Sequence, residues 1–288
     1  MVFRNWLDSS FSLGRRNTRK KWTDSRHLRA EPLESRDLLA VITVNDLSDT
    51  VVDDGQITLR EAIIAANLDT LADAIEGTQA GSGHDEIRFD ALLTGSTITV
   101  EQGEMHITEA VSIVGLGAEN LTISGAGQSR IFYVKSADPS VQVSIADLHL
   151  TRGKSTQFGG TIKAEGKLSL SNMVIDQSTA AGGGAIHVLG DATITDSRFE
   201  DNSASNGGAM YVSGGQLMIA DSQIAGNTAS SGSGGGIYVA SGDVNIIGTG
   251  ITDNVATVDG GAIEVVNSST ILRLHDSAIV DNKTEDSG

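Results

Sequence analysis

One set of side chains recurs at a fixed place in a repeated sequence and could bind a ligand. Four residues after the first glycine of five Gly-Gly pairs lie Lys163, His187, Tyr211, Tyr238 and Glu264. They alternate with apolar residues, so they are expected to face outward, one on each turn of a repeating structure. Neighbouring tyrosines about 5 Å apart could stack on a sugar ring or a peptide. The alternative is that these residues are exposed strand formers with no ligand.

The other residue types that could do chemistry predict no cofactor and no metal. Without cysteine, the chain has no disulfide and no thiolate zinc site. The acidic segment that contains Asp46, Asp49, Asp53 and Asp54 lacks the spacing of an EF-hand loop and is predicted to be solvated. No two histidines have the spacing of metal ligands, so each is predicted to be solvated or in a turn. They are His27, His84, His106, His149, His187 and His275.

Catalysis on a polysaccharide would need groups that the repeats do not supply together. Glycoside hydrolysis uses two carboxyl groups about 5–10 Å apart, and elimination by a lyase uses calcium with an outward Arg or Lys as base. From residue 159 onward no two cationic side chains share one column; they are Lys163, Lys167, Arg198, Arg273 and Lys283. The sequence therefore favours a non-enzymatic protein. A lyase or hydrolase acting on polysaccharides is the alternative.

A repeat of about 25 residues must position these side chains. Glycine pairs recur at intervals of 24 to 27 residues, and a Ser or Asn follows each pair at similar intervals. The glycines are expected to allow backbone angles closed to other residues. The asparagines are expected to tolerate the left-handed region and to hydrogen-bond from turn to turn. The positions are Gly159, Gly160, Gly183, Gly184, Gly207, Gly208, Gly234, Gly235, Gly260 and Gly261, with Ser178, Asn202, Asn227, Asn254 and Asn282.

Each repeat also holds three apolar sets with period-two alternation, which indicates three half-buried strands. The last set is a single inward position, occupied in turn by Ile175, Phe199, Ile224, Ile251 and Ile279. Three short strands per repeat describe an all-β fold, a right-handed single-stranded parallel β-helix of triangular cross-section, like that of pectin lyase. Less regular strand segments precede the repeats. The β-helix is therefore predicted to cover residues 92–288 in about eight coils, with regular repeats from residue 159.

One helix is predicted before the β-helix, in the segment from Ile57 to Asn67. Thr58 and Glu61 have the spacing of a capping box. Leu59, Ala62, Ile63 and Ala66 form one apolar stripe, and Asn67 is expected to end the helix in the left-handed conformation. We predict that this helix covers the open end of the first coil, because an uncovered end exposes strand edges. Arg60 and Glu61 are expected to be structural.

The distribution of charge limits the partners. Residues 1–40 contain nine Lys or Arg against five Asp or Glu, whereas the other 248 residues contain 11 against 32. Such an acidic body repels nucleic acid and anionic lipid, so neither is expected as a partner. No apolar run has the length of a transmembrane helix. The basic residues 1–39 show no apolar periodicity and are predicted to be a disordered export or sorting segment.

Three motifs resemble those of bacterial surface proteins. Residues 31–40, E-P-L-E-S-R-D-L-L-A, resemble an LEPR-type N-terminal motif, which implies export to the cell surface. The L-R-E-A-I of residues 59–63 resembles the region found ahead of bacterial parallel β-helices, so residues 40–91 are predicted to form an N-terminal cap. The G-G-A-I pattern, with F-x-x-N at residues 199–202, resembles the repeats of polymorphic outer-membrane proteins.

The resemblance implies a structural or adhesin-like solenoid at the cell surface or outer membrane. Its partner is then expected to be a cell-surface glycan or a protein. The last predicted turn ends near Gly288 without a cap over its strand edges. We therefore expect either that the chain continues in a longer protein or that it self-associates end to end through its C-terminal coil.

Overall fold

The computed structural model describes residues 41–68, 84–135, 138 and 141–285. The basic segment predicted at 1–39 lies outside these residues. In chain order, the first elements are β1 (Val41–Val44), α1 (Leu59–Leu68), β2 (Asp85–Phe89), a 3-10 turn (Ala91–Leu93), β3 (Ser96–Thr99), β4 (Met105–Ile107), β5 (Val111–Val114), β6 (Leu121–Ser124), β7 (Phe132–Val134), β8 (Gln142–Ala146) and β9 (His149–Thr151).

The repeats contain the remaining strands. These are β10 (Ile162–Ala164), β11 (Lys167–Ser171), β12 (Val174–Asp176), β13 (Thr179–Gly182), β14 (Ile186–Val188), β15 (Ala192–Thr195), β16 (Arg198–Glu200), β17 (Ser203–Asn206), β18 (Met210–Ala220), β19 (Gln223–Ala225), β20 (Thr228–Ala229), β21 (Ile237–Ile247), β22 (Gly250–Thr252), β23 (Val255–Ala256), β24 (Ile263–Val265), β25 (Leu272–His275), β26 (Ala278–Val280) and β27 (Lys283–Thr284).

The strands stack into a parallel β-helix of about eight turns, which confirms the predicted fold class. One sheet has 14 strands, a second has eight and a third has five. The pairings run turn to turn, as where Ile175 of β12 pairs with Phe199 of β16. The stack already includes β1 and β2, since β1 pairs with β2 and β2 with β5. Parallel strands therefore occur within the segment predicted to be the cap.

Three of the five described repeats hold four strands rather than the three that the sequence predicted. In the repeats that begin at Gly207 and Gly234, the first two predicted strands are joined in β18 and β21, and the additional strand is present as well. The turn that begins at Gly183 contains β14, β15, β16 and β17. The additional strands, β13, β17, β20, β23 and β27, form the five-stranded sheet. Their inward residues are small, as with Ala204, Ala229 and Ala256, all of which are buried. Because alanine among Ser and Thr gives little hydrophobic alternation, the sequence pattern did not reveal this sheet.

The core is a set of straight columns of inward side chains. Ile175, Phe199, Ile224 and Ile251 occupy successive turns in register and have no exposed surface. Ile279 continues this register in β26 and is 49% exposed. Each buried side chain packs against its equivalents one turn above and below. From Ile175 to Ile251 the column is fully buried, so each side chain there must fit the neighbouring side chains on the turns above and below.

Two columns of polar side chains run through the interior of the stack. Nδ2 of Asn227 donates to Oδ1 of Asn254 at 2.9 Å, and Oδ1 of Asn227 accepts from the backbone N–H of Asn202 at 3.0 Å. Contrary to the expectation, these asparagines do not have left-handed backbone angles. The residue that precedes each of them does, as with Asp201 before Asn202 and Asp253 before Asn254. A Ser/Thr column, which the sequence did not predict, repeats this pattern: the Ser222 hydroxyl accepts from the N–H of Ser197 at 3.1 Å. Its members are Ser197, Ser222, Thr249 and Ser277.

Helix α1 begins with the predicted capping box. Glu61 Oε2 accepts from the N–H of Thr58 at 2.8 Å, and the Thr58 hydroxyl accepts from the N–H of Glu61 at 3.2 Å. The predicted apolar stripe is buried. The expectation for Asn67 is wrong, because the helix continues to Leu68 and Asn67 is not left-handed. Its side chain instead bridges the carbonyl of His106 and the N–H of Thr108, which ties the helix to the first turns.

Candidate functional site

The strands place the five candidate binding residues in lateral register. Lys163 pairs with His187, His187 with Tyr211, Tyr211 with Tyr238, and Tyr238 with Glu264. The same column begins two turns earlier, with His106 in β4 and Tyr133 in β7. No glycine pair precedes these two residues, so the repeat pattern did not include them. We refer to the seven residues as the outer column.

Three aromatic rings form a continuous surface on the outer column. The rings of Tyr211 and Tyr238 are stacked with their centroids 5.0 Å apart and their planes 22° apart. Phe158 lies two turns before Tyr211, and the centroids of the two rings are 4.8 Å apart. The approach depends on Gly182, where a Cβ atom would lie 2.6 Å from the Phe158 ring and 2.9 Å from the Tyr211 ring. We call Phe158, Tyr211 and Tyr238 the aromatic platform.

His187 does not face solvent, contrary to the sequence-based expectation. Its side chain lies beneath Phe158, with ring centroids 4.9 Å apart, and the residue is 5% exposed. Its Nε2 is 2.7 Å from the Ser213 hydroxyl. Burial lowers the pKa of His187 from 6.5 to about 4, and the positive charges of Lys163 and Arg130 act in the same direction. The ring is therefore neutral at pH 7 and acts as part of the support of the platform.

This burial predicts a dependence of stability on pH. Below pH 6.5 the unfolded chain protonates His187, whereas the folded chain keeps the ring neutral until about pH 4. The stability that His187 contributes is thus fully present above pH 6.5 and is lost as the pH falls to about 4, by at most about 3 kcal/mol. We expect the free energy of unfolding to decrease more for the wild type than for His187→Gln when the pH is lowered from 7.5 to 4. His275→Gln, at an exposed histidine, is the control, and its free energy of unfolding should depend on pH as that of the wild type does. The same dependence on pH for His187→Gln and the wild type would contradict the burial of a neutral His187.

The other end of the outer column carries a hydrogen-bonded trio. The Tyr133 hydroxyl donates to Glu165 Oε1 at 2.6 Å, and Lys163 Nζ lies 2.8 Å from the same oxygen. Lys163 Nζ also lies 4.7 Å from the centre of the Tyr133 ring. The hydrogen bond to Glu165 raises the pKa of Lys163. Burial, followed by the hydrogen bond to Glu165, raises the pKa of Tyr133. Lys163 therefore stays charged and Tyr133 stays protonated at neutral pH.

A buried arginine fixes the loop that carries Phe158. Arg130, which is 8% exposed, donates through Nη2 to the Phe158 carbonyl at 2.9 Å and through Nε to the Gly159 carbonyl at 2.7 Å. Its Nη1 donates to Glu104. Hydrogen bonds from a charged donor are stronger than neutral ones, and the guanidinium is held from several sides. The backbone beneath the platform is therefore rigid.

A polar groove of about 540 Å³ lies beside the platform, where β18 and β21 turn a corner. Its walls include Asp191, Gln216, Ser241, Asp243 and Asn267. Asp191 Oδ1 accepts from the N–H of Gln216, and Asp243 Oδ1 accepts from that of Ile271, each at 3.0 Å across one turn. The Ser241 hydroxyl donates to the Ser213 carbonyl at 2.7 Å, so the groove and the residues under the platform are directly linked. We call this feature the corner groove.

Two other groups of acidic and histidine residues are structural in the described part of the chain. Asp49 was expected in a solvated loop but is 4% exposed and forms a bidentate pair with Arg60 at 2.8 and 2.9 Å. It also accepts from the N–H groups of Glu101 and Gln102, so it joins the segment before the helix to the first turns. His149 lies in β9 rather than in a turn; it is partly buried, and its Nε2 is 3.0 Å from Asp176. Within the described residues no group of three His, Cys, Asp or Glu side chains could hold a metal ion.

Comparison of the chain with protein-family models, with curated proteins and with solved structures gave no match. No helix in the described residues is long and apolar enough to cross a membrane.

Proposed function

We propose that this chain is an exported, non-enzymatic β-helix protein of the bacterial cell surface, which binds a surface glycan or protein through its aromatic platform. The observation that carries the proposal is the platform itself. The rings of Phe158 and Tyr238 both lie within 5.0 Å of the Tyr211 ring, on the outside of the stack. Phe158 is exposed and the two tyrosines are partly exposed. Pre-ordered aromatic rings supply contact area at little cost in conformational entropy, which suits them to recognition.

The charge distribution supports the same class of function. The acidic body disfavours nucleic acid and anionic lipid as partners, whereas it is compatible with a soluble surface solenoid. The resemblance of residues 31–40 to an export motif is the reason for placing the protein outside the cell. End-to-end self-association through the C-terminal coil stays a prediction.

A polysaccharide lyase or hydrolase is the second candidate, and the trio of Tyr133, Lys163 and Glu165 is the arrangement that would favour it. A general base works best when its pKa lies near the operating pH. Here the pKa values of both Lys163 and Tyr133 are raised, away from neutrality. Both shifts run opposite to the needs of a base, so the non-enzymatic proposal is the better supported one.

The test has two parts, location and binding. Antibody against the chain should label intact cells of the source bacterium without permeabilisation. Purified chain should bind those cells or their hosts, and the double variant Tyr211→Ala/Tyr238→Ala should bind at least about tenfold more weakly, as expected for the loss of stacking contacts. The matched control is Thr193→Ala/Met218→Ala, which removes two outward side chains from neighbouring strands. It should bind as the wild type does.

Three outcomes would overturn this proposal. The first is labelling only after permeabilisation, and the second is equal binding by the two double variants. The third is release of reducing ends or unsaturated products from acidic polysaccharides, with or without calcium, which would establish the enzyme instead.

A further inference from the structure

The corner groove and the aromatic platform lie side by side on one continuous outer surface. Strands β18 and β21 contribute to both, and Tyr238 is followed by Ser241 and Asp243 on the same strand. At about 3.3 Å per residue, Tyr238 and Asp243 are about 16 Å apart along the strand. Ser241 connects them physically, since it lines the groove and donates to the carbonyl of Ser213, whose hydroxyl contacts His187. A ligand long enough to span this distance would contact both features.

We propose that the platform and the corner groove form a single site for an uncharged saccharide chain of several sugar units. This inference rests on the proposed function, because it names the ligand class of the same surface. The apolar face of a sugar ring would stack on Tyr211 and Tyr238. The hydroxyl groups of the following units would meet the amide of Gln216, the hydroxyl of Ser241 and the carboxylate of Asp243, which together offer both donors and acceptors.

The charges of the surface favour an uncharged ligand over an acidic one. Two carboxylates, Asp191 and Asp243, line the groove, and no cationic side chain is among the residues that line it. Glu264 adjoins Tyr238 on the outer column. The nearest cation in the column is Lys163, three turns from Tyr238, and Glu165 already neutralises it at 2.8 Å. A uronic acid or sulfated sugar would bring like charge against these carboxylates.

The groove also suits a saccharide better than a peptide. Recognition of an extended peptide uses a free strand edge or a groove with apolar pockets. Here both strands that build the corner are paired on each side, β18 with β14 and β21, and β21 with β18 and β24. The groove is lined by Gly, Ser, Thr, Asn, Gln and Asp. Such walls supply hydrogen bonds to hydroxyl groups and no pocket for an apolar side chain.

The experiment is a calorimetric titration of the full chain with defined oligosaccharides of two to eight units. The neutral probes are gluco-, manno-, galacto- and xylo-oligosaccharides, and the acidic probe is oligogalacturonate. We expect at least one neutral series to bind, with an affinity that rises with length, and oligogalacturonate to bind at least about tenfold more weakly. Tyr238→Ala should reduce neutral binding by about tenfold.

A charge variant separates a binding role of the groove from a structural one. The double variant Asp191→Asn/Asp243→Asn keeps the Oδ1 acceptors of both side chains and removes two negative charges. At low salt it should therefore reduce, several-fold, the ratio of the affinity for neutral oligosaccharides to the affinity for oligogalacturonate. The control Asp221→Asn/Asp276→Asn also removes two negative charges, but from exposed residues with left-handed backbone angles on another corner. It should leave the ratio of the two affinities unchanged. Melting temperatures verify that all variants are folded.

The results that overturn the inference are distinct from those that overturn the proposed function. Preference for oligogalacturonate, or the same change of selectivity in both charge variants, would overturn the neutral-saccharide assignment. Absence of binding to every oligosaccharide, with cell binding that still depends on Tyr211 and Tyr238, would overturn it as well and would leave the proposed surface function standing with a protein partner. If binding to cells did not depend on Tyr211 and Tyr238, both this inference and the proposed function would be overturned.

Discussion

Replacement of Ile224 by Asp is expected to lower the free energy of unfolding by about 4 kcal/mol. Ile224 has no exposed surface and lies in the inward column between Phe199 and Ile251, in register with both. A carboxylate at this position would be enclosed by hydrocarbon on the turns above and below. Its burial would either desolvate a charge without a partner or require protonation of the group, and both are costly. The loss should therefore decrease at low pH, where the carboxyl group is neutral.

Denaturant titration followed by far-ultraviolet circular dichroism measures this effect. Gln223→Asp is the matched control, because Gln223 is the preceding residue of the same strand and is exposed. The control should change stability by no more than about 0.5 kcal/mol. If Ile224→Asp and Gln223→Asp had equal effects, the inward register of β19 would be wrong, and with it the assignment of the whole column.

The large-scale fold was predictable because its signal is repeated. A single alternation of apolar and polar residues is weak evidence for a strand. Phe199, Ile224 and Ile251, however, each follow the first glycine of a pair by 16 or 17 residues, so an ambiguous assignment in one turn is resolved by the others. The capping box of Thr58 and Glu61 was predictable for a different reason, since it depends only on residues three positions apart. Features of both kinds are local or periodic.

The features that were missed depend on contacts between turns. Phe158 stands immediately before a glycine pair, where the later repeats have Gly182, Asn206, Ser233 and Asp259. A large aromatic residue at a position that is otherwise small or polar is the one signal in the sequence for its role, and it becomes meaningful only when Gly182 is seen to make room for the ring. The burial of His187 follows from the same ring. The pattern correctly placed His187 on the outside of its strand, but it could not show what covers it.

Asp49 illustrates the other source of error. A run of acidic residues usually indicates a solvated loop, because isolated carboxylates avoid burial. Asp49 is buried because Arg60 and two backbone N–H groups converge on it from segments about 11 and 50 residues away in sequence. A buried carboxylate with this many donors is stable, since its charge is compensated and its acceptor positions are filled. No pattern within the acidic segment itself carries that information.

Substitution of Gly208 by Ala is expected to destabilise the protein by about 3 kcal/mol, although it adds only one methyl group. A Cβ at Gly208 would lie 2.2 Å from the carbonyl oxygen of Gly235 and 2.5 Å from the backbone nitrogen of Thr228. Both are backbone atoms of the next turn. That turn is held by the hydrogen bonds of Asn227 to Asn202 and Asn254, so it cannot shift away without breaking the polar column. The second glycine of each pair is thus required by close approach of the turns rather than by its own backbone angles.

Gly250→Ala is the matched control for Gly208→Ala. Gly250 lies in β22 with an ordinary φ, and no heavy atom would lie within 4 Å of its Cβ. There the methyl group should stabilise the protein by up to about 1 kcal/mol, because alanine restricts the unfolded chain more than glycine does. Thermal and chemical unfolding of the two single variants should therefore differ in sign. The equivalent Gly184→Ala, whose Cβ would lie 2.3 Å from the Gly208 carbonyl oxygen, should reproduce the loss. If Gly208→Ala and Gly250→Ala changed the stability in the same direction and by the same amount, the close approach of neighbouring turns at the glycine pairs would be contradicted.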